Sequence, residues 1–153
     1  MCGQENADYA FLMDASRSIL PDEFQLVKNY VKDVIEYLSI GPALTHVGVI
    51  EYSKSAKMEL AFDKSYDKKE IKRIVDKVPH TKGITRIDLA LQVASQELFT
   101  AAIGGMRNTS RKVKCLNFNQ GLFLSTYRGF EYFSNVCFLC AGRPGLVLLE
   151  ISA

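Results

Sequence analysis

One short apolar run near the start of the chain limits the folds that are open to it. Residues 8 to 14, DYAFLMD, place five consecutive apolar side chains between two aspartates. A half-exposed strand alternates polar and apolar residues, whereas a strand buried on both faces is apolar throughout. Such a strand needs a covering layer on each side of its sheet, and in α/β proteins that layer is helical. We therefore predict a first strand inside an α/β sheet.

The segments that follow alternate between helix and strand. Pro21 opens PDEFQLVKNYVKDVIEYL, whose apolar residues recur at spacings of three and four, as on one face of a helix. Gly41 and Pro42 end that segment, and residues 45 to 52, THVGVIEY, have the composition of a buried strand. The alternation predicts an open, mostly parallel, doubly wound α/β sheet of the Rossmann kind.

Further elements are predicted before residue 113. Residues 56 to 62, AKMELAF, indicate a short edge strand that pairs antiparallel after a tight hairpin. The segment YDKKEIKRIVDKV predicts an amphipathic helix that is capped by Asp67 and ended by Pro79. The loop HTKGIT then leads to RIDLALQVASQELF, which predicts a third helix closed by IGG.

The sequence changes in character after residue 113. From Lys114 onward it holds only three basic and two acidic residues, and no helical pattern separates its apolar runs GLFL, VCFLCA and LVLLEI. Parallel strands need crossover connections of about a dozen residues or more, usually helical. We therefore divide the chain into a partial α/β domain, residues 7 to 113, and a divergent tail, residues 114 to 153. The hypothesis for the tail is a splice- or frame-altered segment that leaves the domain incomplete.

Composition argues against several classes of partner. Nineteen basic and seventeen acidic residues give a formal net charge of +2, with no basic stripe, so we expect no nucleic-acid partner. No run of 18 apolar residues occurs, which predicts no membrane span, and the first ten residues do not resemble a secretory signal. The cysteines are too unevenly placed to decide the redox compartment; they are Cys2, Cys115, Cys137 and Cys140.

Oxygen-bearing side chains stand where the first predicted strand ends. Asp14, Ser16 and Ser18 are spaced by two residues, so a looping backbone can turn them toward one point. Ligands of open parallel sheets bind beyond the carboxyl ends of the strands. Carboxylate and hydroxyl oxygens suit Mg²⁺ or Mn²⁺. The alternative is that Ser18 or Asp22 caps the following helix, and the spacing alone leaves both interpretations open.

Several motifs in the right order resemble a known family. The Asp-x-Ser-x-Ser spacing, the run DASRSILPDEFQLVKNYVKDVIEYLSIGP, HVGVIEYS and GITRIDLAL together resemble a von Willebrand factor type A domain, of the extracellular-matrix type found in matrilins and matrix collagens. The resemblance covers roughly residues 7 to 113. It implies a secreted, non-enzymatic adhesion module whose metal-ion-dependent adhesion site is built from three loops. Asp14, Ser16 and Ser18 would belong to the first loop and Thr85 to the second.

The third loop of that site departs from the family pattern. In the family an aspartate follows a central strand that ends in Thr-Asp-Gly, whereas here KCLNFNQG follows residue 113 and no aspartate occurs after Asp88. Partners of a metal site are typically worth about 10- to 100-fold in affinity. We therefore expect a degenerate site that binds Mg²⁺ or Mn²⁺ weakly or not at all. Loss of that central strand would also leave the first strand with an unpaired edge.

These inferences predict an extracellular protein-interaction module. A bound cation would bridge to an acidic side chain of a matrix protein or receptor. One alternative is a truncated product without activity of its own. Another is a hydrolase or phosphotransferase with Asp14 as nucleophile, although such enzymes generally place a second acid nearby and Ser16 stands there instead.

Minor motifs carry weaker predictions. Asn108 opens an Asn-Thr-Ser glycosylation acceptor, which is typical of secreted proteins. Cys137 and Cys140 form a single Cys-x-x-Cys without nearby histidines, which is weak support for a zinc or redox site; we favour two apolar thiols within a hydrophobic run. His46 and His80 are far apart in sequence, and we expect ordinary surface roles for both.

Overall fold

The apolar run at the start of the chain becomes the central strand of a five-stranded sheet. A computed structural model describes residues 7–107, 111–117 and 146–151, with side chains described for 7–107. In chain order the elements are β1 (Ala7–Asp14), α1 (Pro21–Tyr37), β2 (His46–Tyr52), β3 (Ala56–Leu60), α2 (Lys68–Lys77), α3 (Ile87–Val93), a π-helical turn (Ala94–Leu98), β4 (Arg111–Asn117) and β5 (Leu146–Ile151).

Strand order confirms the open α/β sheet predicted from the sequence. The order is β3-β2-β1-β4-β5. The three central strands are parallel, because β1 pairs in parallel with both β2 and β4. Each edge strand is antiparallel to its neighbour, β3 to β2 and β5 to β4. The short antiparallel edge strand expected after β2 is therefore confirmed.

The second edge of β1 is occupied, so the expectation of an unpaired edge there is wrong. β4 pairs with β1 from Ala7 opposite Arg111 to Met13 opposite Asn117. The strand predicted in LVLLEI is confirmed as β5, and because it returns antiparallel to β4 it needs no crossover helix. The apolar runs GLFL and VCFLCA lie outside the described residues.

Helices cover both faces of the sheet, as the doubly wound prediction requires. Phe11 and Met13 of β1 face a core that α1 and α2 complete. Ala10 and Leu12 face the opposite core, which α3 and the π-helical turn cover. Alternate side chains of one strand thus enter two separate cores, which explains why an uninterrupted apolar run was needed.

Local sequence signals fix most helix boundaries. Pro21 begins α1, and the Glu23 carboxylate accepts a hydrogen bond from the Leu20 backbone N–H at 2.8 Å. The predicted cap of α2 is confirmed, since the Asp67 side chain accepts from the Lys69 backbone N–H at 3.0 Å. The third predicted helix is α3 continued by the π-helical turn rather than one regular helix.

Membrane insertion is not supported by any helix of the described residues, since none is both long and apolar enough to span a bilayer.

Candidate functional site

The first loop leaves the sheet at the end of the central strand. Asp14 is the last residue of β1 and lies buried opposite Tyr52 of β2. The backbone N–H of Ser16 donates to Oδ1 of Asp14 at 2.8 Å, which folds the chain back over the carboxylate. The hydroxyl oxygens of Ser16 and Ser18 are 3.0 Å apart. The structure therefore brings together the three residues of the Asp-x-Ser-x-Ser spacing.

Helix capping does not account for these serines. The N-cap position of α1 is Leu20, which makes no side-chain cap hydrogen bond, and Glu23 satisfies its backbone N–H instead. The Ser18 hydroxyl is directed to Ser16 rather than to the helix. The alternative in which Ser18 or Asp22 caps α1 is therefore wrong.

A second loop, residues 80 to 86, is hydrogen-bonded to the first. The backbone N–H of Arg17 donates to the Gly83 carbonyl at 2.8 Å, and that of Lys82 donates to the Ala15 carbonyl at 2.8 Å. Lys82 has a φ of 57°, a left-handed conformation that turns the backbone at this point. Two separate segments of the chain thus meet beyond the carboxyl end of β1.

Thr85 follows this junction by two residues. It is exposed, and among residues 7–107 its side chain has no hydrogen-bond partner. The loop is anchored just after it, because the Arg86 backbone N–H donates to the Ser53 carbonyl at 3.0 Å. The segment that carries Thr85 is therefore held beside the first loop, and its role as a ligand remains a prediction.

A partly buried network of side-chain hydrogen bonds joins the second loop to the end of β2. The Thr81 hydroxyl donates to Oε1 of Glu51 at 2.5 Å and lies 2.5 Å from the Ser53 hydroxyl. Burial raises the pKa of Glu51, and the hydrogen bond from Thr81 opposes that rise. This network was not predicted from the sequence; the one available signal was an acidic residue, Glu51, near the end of the mostly apolar strand β2.

The environment of Asp14 favours its protonated form more than water does. Burial raises the pKa of this carboxyl, while hydrogen bonds from Ser16 and the charge of His80 act in the opposite direction. Burial also raises the pKa of Tyr52 well above its ordinary value, with the Asp14 charge adding to the effect. A cation placed here would offset the cost of burying the carboxylate charge.

His80, the first residue of the second loop, contacts the first loop. Its Nε2 lies 3.2 Å from the Ser16 carbonyl oxygen, and its ring stacks on Phe24 with the ring centroids 4.7 Å apart. The expectation of an ordinary surface role is therefore wrong for His80, which links the start of α1 to the site.

His46 is buried, so the surface role expected for it is also wrong. Its Nε2 lies 3.1 Å from the Pro42 carbonyl oxygen, and its Nδ1 lies 3.7 Å from the Asp8 carboxylate. Asp8 accepts further bonds from the Arg107 guanidinium, the shortest at 2.8 Å. This cluster lies at the opposite end of β1 from Asp14, so it supports the sheet and not the site.

The donor atoms in the first loop fit a small divalent cation. Neighbouring ligands of an octahedral Mg²⁺ are about 3.0 Å apart when the metal–oxygen distances are about 2.1 Å. The hydroxyls of Ser16 and Ser18 have that separation, and Asp14 Oδ2 is not engaged by the Ser16 N–H. Among the described residues, no group of three or more histidine, cysteine, aspartate or glutamate side chains comes together, so any cation here would depend on hydroxyl oxygens beside the single carboxylate.

Other predicted positions lie beyond what the structure describes. Asn108, Cys2, Cys137 and Cys140 are outside the described residues, and for Cys115 only the backbone, in β4, is described. The third loop is approached from β4, whose last residue, Asn117, pairs with Met13, one position before Asp14. The residues that follow β4 are also outside the described part.

Sheet order, helices on both faces and two joined loops over the central strand define the class of protein. The model of the von Willebrand factor type A domain matches residues 8–117, and the chain belongs to this family. The resemblance inferred from the motifs is thereby confirmed. The match extends four residues beyond residue 113 and includes all of β4.

The particular relatives are matrix proteins. Human matrilin-3 is 36% identical over 110 residues, which are 72% of this chain and 23% of the relative. Mouse matrilin-2 is 33% identical over 103 residues, 67% of this chain and 11% of the relative. This chain thus spans about a quarter or less of the length of these relatives.

A solved structure shares the fold. Proximal thread matrix protein 1 from the mussel byssus aligns with a TM-score of 0.66 and 33% identity, over 74% of this chain and 28% of that one. In that structure a metal-ion-dependent adhesion site is occupied by zinc.

Proposed function

We propose that this chain is a secreted, non-enzymatic module that binds extracellular matrix proteins or receptors through a degenerate divalent-cation site. The residues proposed to hold Mg²⁺ or Mn²⁺ are Asp14, Ser16, Ser18 and Thr85. The observation that carries the proposal is the pair of serine hydroxyls 3.0 Å apart, close to Asp14 in a loop whose backbone is hydrogen-bonded to a second loop.

The relatives support the extracellular setting. Matrilins and a byssal thread matrix protein are the named proteins that this chain resembles, and the latter has a metal in the corresponding kind of site. The glycosylation acceptor at Asn108 agrees with secretion. These similarities span between 11% and 28% of the length of the relatives described above, so the matrix role is part of the proposal.

Each side chain has a distinct part in the proposed site. Asp14 supplies negative charge, directly or through water, while Ser16 and Ser18 supply neutral hydroxyl oxygens and Thr85 a fourth oxygen from the second loop. A bound cation would present positive charge to a carboxylate of the partner. Because the sequence has no aspartate after Asp88, the site lacks the acid that the family's third loop supplies, and cation affinity should be low.

Adhesion through this site can be tested with an immobilised carboxylate-bearing peptide, using surface plasmon resonance in Mg²⁺ and in EDTA. We expect weak binding that EDTA and Asp14→Ala each reduce. Asp33→Ala is the matched control, because Asp33 is an exposed residue of α1. Binding that is unchanged both by EDTA and by Asp14→Ala would contradict the proposal.

A further inference from the structure

Basic side chains surround the junction of the two loops. We call Arg17, Lys54 and Lys82 the basic rim; all three are exposed. Among residues 7–107 none of their side chains has a hydrogen bond or an ion pair, whereas other lysines do, such as Lys32 with Asp76 at 2.6 Å. The rim therefore presents positive charge that the described residues leave unpaired.

Backbone contacts place the basic rim in one location. Arg17 N–H donates to the Gly83 carbonyl at 2.8 Å, and Lys82 precedes that glycine. Gly83 also packs on Lys54, since a Cβ at position 83 would lie 2.7 Å from the Lys54 backbone nitrogen and 2.8 Å from its Cβ. A side chain at position 83 would push these segments apart, so the glycine permits the convergence.

Nearby negative charge does not cancel the rim. Asp14 is buried beneath the first loop and accepts a hydrogen bond from Ser16. Asp88, the acid that follows the second loop, is paired with the Arg86 guanidinium at 2.6 Å. The outward-facing charge of the two loops is therefore positive.

Exposed apolar side chains lie on the same two loops. Ile84 is 60% exposed between Gly83 and Thr85, and Leu20 is 61% exposed at the end of the first loop. Apolar residues next to unpaired cations are typical of a protein-binding surface, in which an apolar contact is bordered by complementary charge.

We propose that the basic rim, with Ile84, binds an acidic segment of a partner protein that also carries an apolar side chain, and that it does so through direct charge contacts. The inference rests on the proposed adhesive function and names the chemistry of its partner. Direct contacts to the rim do not pass through a cation, so they persist when divalent ions are removed. A sulfated polysaccharide is the other polyanion of a matrix, but it offers nothing for Ile84 to contact, and the chain has no extended basic stripe to track it.

Fluorescence anisotropy of the full chain with a labelled peptide of alternating glutamate and leucine tests this inference. The neutral control peptide has glutamine in place of glutamate, and all titrations are made in Mg²⁺ and in EDTA. The test variant combines Arg17→Glu with Lys54→Glu. The control variant combines Lys64→Glu with Lys69→Glu, two exposed positions on either side of the start of α2. The start of α2 lies at the far end of α1, because Lys68 Nζ donates to the Glu36 carbonyl there.

The two variants change net charge equally, so only the location of the charge differs. In EDTA we expect the rim variant to bind the acidic peptide about tenfold more weakly than the unmodified chain, and the control variant to stay within about twofold. Ile84→Ser should weaken binding about threefold without a change in charge. Circular dichroism checks that each variant is folded. Arg17→Gln with Lys54→Gln removes the two charges without reversing them, so its loss of affinity should be about half as large on a logarithmic scale.

Several results would overturn the inference. Equal losses of affinity in the rim and control variants would show that net charge, and not the basic rim, explains the binding. Binding to a heparin oligosaccharide but not to the peptide would assign the rim to the polysaccharide. Peptide binding that needs Mg²⁺ and ignores the rim variant would overturn the basic rim while upholding the cation site. Peptide binding in EDTA that the rim variant weakens and Asp14→Ala does not would uphold the rim even if the cation site fails.

Discussion

At the scale of single residues, Gly48 determines how closely β2 packs against the core that α3 and the π-helical turn cover. A Cβ at this position would lie 2.7 Å from Leu98 Cδ1 and 3.0 Å from a ring carbon of Phe62, and both side chains are fully buried. Gly48→Ala should therefore overpack the core and lower the free energy of unfolding by about 1–3 kcal/mol, measured by denaturant unfolding.

Gly41→Ala is the matched control for that substitution. Its Cβ would meet only the flexible, partly exposed side chain of Leu44, at 3.3 Å, so its effect should be much smaller. Equal destabilisation by the two variants would contradict the packing described at Gly48.

The raised pKa of Glu51 makes the free energy of unfolding depend on pH. Burial raises its pKa above the ordinary value of 4.5, and repulsion from Glu59 and Asp14 adds to the rise. The folded state therefore retains a proton that the unfolded state has already released, so this residue makes the free energy of unfolding fall as pH rises through the window above 4.5.

Glu51→Gln should remove this fall, because glutamine can still accept the Thr81 hydrogen bond but carries no charge. We expect the variant to be more stable than the unmodified chain at neutral pH, with the difference closing under more acidic conditions where Glu51 is protonated. Denaturant unfolding across a pH series measures both curves. A difference that is independent of pH would contradict the assignment.

Residue roles could be predicted from sequence where the partners are local. Asp14, Ser16 and Ser18 lie within five positions of one another, so their meeting depends only on one loop. The roles of His46 and Glu51 could not be predicted from the sequence, because their contacts depend on the fold; the hydrogen-bond partner of Glu51, for example, is Thr81, thirty positions away.

At the scale of elements, α2 depends on its cap. This helix is ten residues long and buries little more than Ile71 and Val75, so its end contributes a large share of its stability. Asp67→Ala should remove the hydrogen bond to Lys69 N–H and lower the free energy of unfolding by about 1 kcal/mol.

Asp67→Asn is the rescue variant for that prediction, since asparagine caps helices about as well as aspartate. Denaturant unfolding of both variants is the measurement. A loss of stability in the asparagine variant as large as in the alanine variant would show that the charge, and not the cap hydrogen bond, is responsible.

Element positions followed from periodicity where the pattern was regular. The apolar stripe of α1 and the cap of α2 predicted their helices closely. The change from α3 to a π-helical turn was not predictable, because apolar spacing does not distinguish a hydrogen-bond pattern that is one residue wider.

At the scale of the whole molecule, β4 decides whether the sheet is complete around β1. Sequence predicted the class of sheet but not that the tail joins it, because an antiparallel return such as β5 has no helical signal to reveal it. The domain boundary proposed at 113/114 falls within β4. The tail as a splice- or frame-altered segment and the truncated product without activity remain hypotheses.

Hydrogen exchange separates these alternatives. With β1 paired on both sides, we expect the amides of β1 and β4 to exchange slowly, and those of the edge strands β3 and β5 to exchange faster. Mass spectrometry of the full chain gives the rates. Amides of β4 that exchange as in an unstructured peptide, while β2 stays protected, would favour the truncated product.

The central claim is that two loops above β1 hold a divalent cation. Its most direct test is an NMR titration of the full chain with Mg²⁺ that follows the amides of Ser16, Ser18 and Thr85. We predict that all three shift together, with an affinity weaker than micromolar, and that Asp14→Ala abolishes the shifts. Shifts confined to the first loop, or shifts that survive Asp14→Ala, would contradict the account.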